Sequence, residues 1–180
     1  TSVSRGLGDV YKRQVNESAE TISRTRERLA RTALAARGMS ECVTWSFMPN
    51  HLAQKFEAND NAHNSCHALR LTNPISSDLD QMRPSIVPNL IQAALYNADH
   101  GSNNTALFEV GPVFKSAKVD GQNSLAAGVR HGSYGVRHWS GAEANRDIDI
   151  FDAKADAYAS LEAVGAPTGN LQVTRDAPHY

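Results

Sequence analysis

Apolar residues recur along this chain with two different periods, one near four residues and one of two, the mark of helices interleaved with strands. Thr21 to Arg37 holds no Gly or Pro and is rich in Arg, Leu and Ala, with Ile22, Leu29, Ala33 and Ala36 on one side. This spacing predicts a helix terminated by Gly38. Glu41 to Phe47 is β-branched and aromatic, so a strand is expected with Val43, Trp45 and Phe47 on one face. A short helix follows from His51 to Glu57, then a polar loop over 58–67 and a short strand from Ala68 to Leu71, stopped by Asn73-Pro74. A second amphipathic helix begins at Ser85, a good N-cap, with Pro88 tolerated in the first turn. Its apolar stripe is Val87, Leu90, Ile91, Ala94 and Leu95.

Ala106 to Val110 reads as a strand with Ala106, Phe108 and Val110 on one face and Leu107 beside Glu109 on the other; Gly111-Pro112 interrupts it and Val113-Phe114 resumes it. Leu125, Ala127 and Val129 alternate as a further strand, and the glycine-rich stretch from Gly132 to Asn145 is a loop. A last helix runs from Asp149 to Val164, with Phe151, Ala155, Tyr158 and Leu161 as its buried stripe. Asp147, Asp149 and Asp152 sit where the helix dipole favours negative charge. Asn170 to Thr174 begins another strand.

Composition narrows what such a molecule does. In 180 residues, 18 Lys and Arg oppose 19 Asp and Glu, which excludes a surface that is basic throughout, though not a local patch. Arg24, Arg28 and Arg31 share one helix face; that pattern fits either a tract for RNA phosphates or an ordinary solvated face, and near-neutrality favours the second. Cys42 and Cys66 are too few for a disulfide scaffold, and no apolar run reaches membrane-spanning length, so the chain reads as soluble and intracellular. Residues 1–14 carry no apolar period, and Asp9 to Gln14 resembles translated sequencing-adapter sequence. They are set apart as an artefact or a disordered start, leaving 15–180 as one domain, incomplete at its C-terminus.

Few residues carry chemistry outright. His63, Cys66 and His67 lie close together but lack a second ligand pair for zinc. Cys42 falls within an apolar strand and reads as inert. There is no nucleophile elbow, P-loop or dinucleotide fingerprint. Glu109, a carboxylate within an apolar strand, must be paired or lie in a cleft, and Arg83 is its candidate partner. A structural pair is favoured over a catalytic role.

Leu71 to Leu90, which contains Asn73, Pro74, Asp78, Met82, Arg83, Pro84 and Ser85, closely resembles the β-subunit family of bacterial phenylalanyl-tRNA synthetases. So do Gly38 to Phe47, Leu107 to Phe114 (with Phe108, Glu109 and Gly111), Phe151 to Lys154 and the lone Trp139. The resemblance runs from about Thr21 to Tyr180. It implies an α+β fold, an antiparallel sheet flanked by helices, of class II aminoacyl-tRNA synthetase type in degenerate form. It further implies assembly with a catalytic α subunit as α2β2, tRNA(Phe) as partner of the whole enzyme, and ATP and Mg2+ used by that enzyme but not bound by this stretch. An active class II site needs an arginine in its strand-loop-strand hairpin to grip the ATP phosphate. The corresponding stretch, Asn103 to Phe114, has Glu109 as its one charged residue, so no catalytic residue is assigned. An RNA-binding module, or a free-standing enzyme with Arg83 and Glu109 in its cleft, are the alternatives.

Overall fold

The computed structural model describes residues 20–56, 69–134, 139 and 146–172. The first fourteen residues, the His63/Cys66/His67 loop, His138, and Val173 with Thr174 lie outside them. Helix α1 spans Ile22–Ala36; the Thr21 hydroxyl accepts from the Arg24 N–H at 3.3 Å, and Gly38 follows with φ +76°, a left-handed conformation glycine adopts without strain. The buried face of α1 is Ala30 and Leu34, whereas Ile22 and Leu29 turn outward, so the expected apolar side is rotated.

Two sheets follow. β1 (Ser40–Glu41), β4 (Thr105–Phe114) and β5 (Gln122–His131) form one in the order β1-β4-β5; β1 runs parallel to β4, and β4 antiparallel to β5. β2 (Phe47–Met48) and β3 (Gln81–Met82) form a small antiparallel pair. Helix α2 (Asn50–Ala53) runs on into a 3-10 turn over Gln54–Phe56, close to the expected short helix. α3 spans Val87–Asp99 and α4 spans Ile150–Ala163.

β4 carries the core on both faces. Phe108 and Val110 pack with Ala30, Leu34 and Met39 beneath α1, while Leu107 and Val113 pack with Ile86, Leu90 and Ala94 of the α3 side. Burial of each large apolar side chain contributes roughly 1.5–3 kcal/mol gross. α3 buries a narrower stripe than expected: Leu90 and Ala94 are inside, but Ile91 and Leu95 are exposed, because the helix packs chiefly on β4 and β5.

Four strand expectations change. Cys42 to Ser46 joins neither sheet as a strand; Val43 is 92% exposed and Trp45 64%. Gly111-Pro112 does not interrupt β4, which pairs without a break from Thr105↔His131 to Phe114↔Gln122. Pro112 is tolerated because its carbonyl, and so its missing N–H, faces away from β5, beyond the end of β1. Of the strand expected near residue 70, the described part is an isolated bridge, Arg70↔Gln81. Asn170 to Gln172 is not strand.

Candidate functional site

The site grows from the problem of a carboxylate placed on the inner face of β4. Glu109 shares that face with Leu107, Gly111 and Val113, and is buried. Its Oε1 lies 2.8 Å from Arg83 Nη1, and its Oε2 accepts from the Thr44 N–H at 3.2 Å and the Thr44 hydroxyl at 2.6 Å. Arg83 is 1% exposed. Its Nε donates to the Pro112 carbonyl at 2.8 Å, and Nη1 also donates to the Thr44 hydroxyl at 3.0 Å and the Trp45 carbonyl at 3.5 Å. The Arg83 backbone joins in: its N–H donates to the Ser46 carbonyl at 2.9 Å, and its carbonyl accepts from Phe114 at 3.0 Å.

Gly111 makes this arrangement possible. A Cβ there would stand 2.7 Å from Arg83 Nη2 and 3.2 Å from Glu109 Oε1, inside contact distance of both. One buried ion pair therefore stitches β4, the Cys42 to Ser46 segment and the entry to α3. It also bears on why that segment is not a strand: the Thr44 N–H and the Trp45 carbonyl are taken by side chains, while the Cys42 N–H and the Ser46 carbonyl bond to the backbone of Phe108 and Arg83. Asn89 adds to the stitching by donating Nδ2 to the Trp45 carbonyl at 2.9 Å; its Oδ1 is buried without a partner among the described residues. Sequence reading missed Thr44 and Asn89, although the spacing of Thr44 between Val43 and Trp45 hinted that its side chain faces opposite to theirs.

The other expected positions scatter. Asn73, Pro74 and Asp78 lie exposed in the turn before β3, where the Asp78 N–H donates to the Ser76 hydroxyl at 3.3 Å. Met82 and Pro84 are half-buried on either side of Arg83. Ser85 is buried and its hydroxyl accepts from the Val87 N–H at 3.2 Å, one residue ahead of the N-cap, Ile86. Phe108 is core beneath α1, and Trp139 is 91% exposed. Cys42 is half-buried against the α3 cluster; burial, then Glu109 and Glu41, push its thiol up from the ordinary range.

A second set of ion pairs, which the sequence reading did not foresee, holds α4. Asp156 receives Arg37 on Oδ1 and Arg130 on both oxygens, Nε on Oδ2 at 2.5 Å and Nη2 on Oδ1 at 3.0 Å, and Arg130 Nη2 also donates to the Arg37 carbonyl at 3.0 Å. Arg146 makes a two-pronged contact with Asp152 at 2.7 and 2.5 Å. The Arg24/Arg28/Arg31 face is mostly engaged: Arg28 pairs with Glu20 at 3.3 Å, and Arg31 with Glu41 at 2.9 Å while donating to the Val110 carbonyl at 2.8 Å. Among the described residues no group of three His, Cys, Asp or Glu could hold a metal ion. No helix there is long and apolar enough to cross a membrane.

The model of the "Phenylalanyl tRNA synthetase beta chain CLM domain" family matches residues 10–180. The chain belongs to that family. The phenylalanine--tRNA ligase beta subunit of Rhodospirillum rubrum is 52% identical over 147 residues, 82% of this chain and 17% of the relative. That of Mesorhizobium japonicum is 44% identical over 170 residues, 92% of this chain and 20% of the relative. The chain thus spans about a fifth of the length of these beta subunits. Among solved structures, a histidine--tRNA ligase subunit from Alicyclobacillus acidocaldarius superposes with TM-score 0.58 at 12% identity, over 91% of this chain and 44% of that one. A pyrrolysyl-tRNA synthetase from Desulfitobacterium hafniense superposes with TM-score 0.54 at 16% identity, over 78% of this chain and 46% of that one. The fold of this beta-chain domain is therefore of class II synthetase type.

Proposed function

We propose that this domain serves phenylalanine--tRNA ligase as a non-catalytic assembly module of the beta subunit, packing on a catalytic alpha subunit in a cytoplasmic α2β2 enzyme that charges tRNA(Phe). The observation that carries this reading is the fate of Arg83 and Glu109. In the hairpin stretch where an adenylate-forming site would need a cation on ATP phosphate, Asn103 to Phe114, the one charged side chain is Glu109, sealed against Arg83. Arg83 is 1% exposed and its Nε and Nη1 donate to protein oxygens, so it is shut away from a nucleotide. Asn73, Pro74, Asp78, Met82, Pro84, Ser85, Phe108, Gly111 and Trp139 then serve fold or interface, and ATP, Mg2+ and the phenylalanine pocket belong to the alpha subunit.

The described residues do not fit a resident Mg2+, since no cluster of carboxylates converges in them. The test is phenylalanine-dependent exchange of pyrophosphate into ATP by the full-length beta subunit. It should stay at background for beta alone and appear when the alpha subunit is added; exchange by beta alone overturns the proposal.

A further inference from the structure

A groove of about 810 Å³ runs between α1 and α4 over the first half of β5. Ile22 and Ala30 stand on its α1 wall, Leu161 and Val164 on its α4 wall, and Leu125 and Ala126 on its floor. Its apolar rim is open: Ile22 is 73% exposed, Leu125 42% and Leu161 36%. The helices are not free to close over it. Arg37 and Arg130 both hold Asp156 of α4, and the Ser124 hydroxyl of β5 donates to Glu27 of α1 at 2.5 Å. Pulling α4 across would strip Asp156 of its partners and leave charges unpaired.

Charge narrows what the groove takes. Glu27, the one acid among its described lining residues, is engaged by Ser124 and, at 3.7 Å, by Arg31. Arg26, the one cation there, has a guanidinium with no ion pair or hydrogen bond among the described residues. We propose that this groove seats an amphipathic helix of the catalytic alpha subunit, one that sets an Asp or Glu against Arg26. The inference rests on the assembly reading above and names a surface through which the two subunits meet. Length fits such an occupant. Ile22 and Ala30 are eight positions apart, about 12 Å along α1, and a helix docking through anchors at i, i+4 and i+7 covers about 10.5 Å. Ala30 and Ala126 leave room beneath for its large apolar side chains. A helix without an acid would cover Arg26 and leave it unpaired, which disfavours that alternative.

The test uses the ligase assembled from full-length subunits. Leu125→p-benzoylphenylalanine in beta should give adducts to alpha, mapped to a helical peptide that contains Asp or Glu. Their yield should exceed that from Lys118→p-benzoylphenylalanine on the exposed β4–β5 loop. Ser23→p-benzoylphenylalanine, on the α1 wall, should reach the same peptide, which guards against disturbance at one position. Arg26→Glu should lower the Leu125 adduct yield about tenfold by setting like charges face to face, and replacing the mapped acid of alpha by Lys should restore it. Adducts within beta or to tRNA, a mapped peptide without an acid, a yield no higher than the loop control, or indifference to Arg26→Glu would each overturn the proposal. Light scattering follows the mass of each variant enzyme. An intact α2β2 enzyme without the adduct overturns the groove alone, whereas subunits that never associate overturn the assembly reading with it.

Discussion

At the scale of single residues, the energetics of Arg83 and Glu109 are set by desolvation. Two charges almost wholly out of water are tolerable only while each satisfies the other. Arg83→Met leaves the Glu109 carboxylate buried with only Thr44, and should cost about 3–5 kcal/mol. The double substitution Arg83→Met with Glu109→Leu removes both charges and should cost clearly less than the single change. Urea denaturation of the beta chain, with amide exchange across β4 to localise the effect, measures both; additive costs would mean that the pair is not coupled. Gly111→Ala forces a Cβ to 2.7 Å from the guanidinium and should cost about 1–3 kcal/mol by the same measurement, although alanine suits a strand better than glycine. The coupling of Glu109 to Arg83 was legible in the sequence, because an acid in an apolar strand needs a partner and an arginine stood nearby. The third member, Thr44, was not, since nothing local distinguishes a threonine that satisfies a carboxylate from one that faces water.

At the scale of elements, α4 shows where periodicity misleads. Its apolar stripe of Phe151, Ala155, Tyr158 and Leu161 is real, yet the structure turns Phe151 outward and buries Asp152 and Asp156. Hydrophobic period identifies a helix and its faces, but long-range arginines chose which face went in, and Arg37 and Arg130 lie 119 and 26 residues from Asp156. The lost strand at Cys42 to Ser46 has a related origin, since side chains of Glu109, Arg83 and Asn89 take the Thr44 N–H and the Trp45 carbonyl. Helix α1, built on local propensity, was legible almost to its ends; the hairpin β4–β5 was legible by its alternation in part only, since no break falls at Gly111-Pro112 and β5 runs from Gln122 to His131, past the expected Leu125 to Val129. Burial pushes the Asp156 carboxyl up, but hydrogen bonds from Arg130 and Arg37 outweigh it and hold the group below the usual carboxylate range. Hydrogen bonding from Arg146 and the Asp149 N–H does the same for Asp152. Because both folded-state values are depressed, the stabilisation is fully present above the unfolded carboxylate range, near pH 4, and is lost as pH falls through the folded values. The urea midpoint should therefore drop steadily below about pH 4–5, and Asp156→Asn, already weaker at pH 7, should show a shallower drop. An unchanged acid slope in that variant would remove the ion pairs as the fastening of α4.

At the scale of the whole molecule, near-neutral charge and its internal pairing bear on whether this domain touches tRNA directly. A surface that binds phosphates keeps its cations free to release counterions, and each phosphate contact adds about 0.9 to the slope of log affinity against log salt. Here Arg31 is committed to Glu41 and to the Val110 carbonyl, and Arg28 to Glu20. Arg28 forms a loose, solvent-screened pair at the surface that a phosphate can compete for; Arg31 is a strut between α1 and the sheet. With 18 basic residues against 19 acidic ones, no field from the rest of the chain compensates for this. Replacing Arg24 and Arg28 together by alanine in the assembled ligase should accordingly leave the salt slope of tRNA(Phe) binding unchanged to within about half a unit, and the affinity within about twofold. Arg31→Ala should instead loosen α1, lowering the urea midpoint without altering that slope. A slope that falls by nearly two units in the double variant would mean that both cations reach phosphate, and that the α1 face is an RNA surface after all.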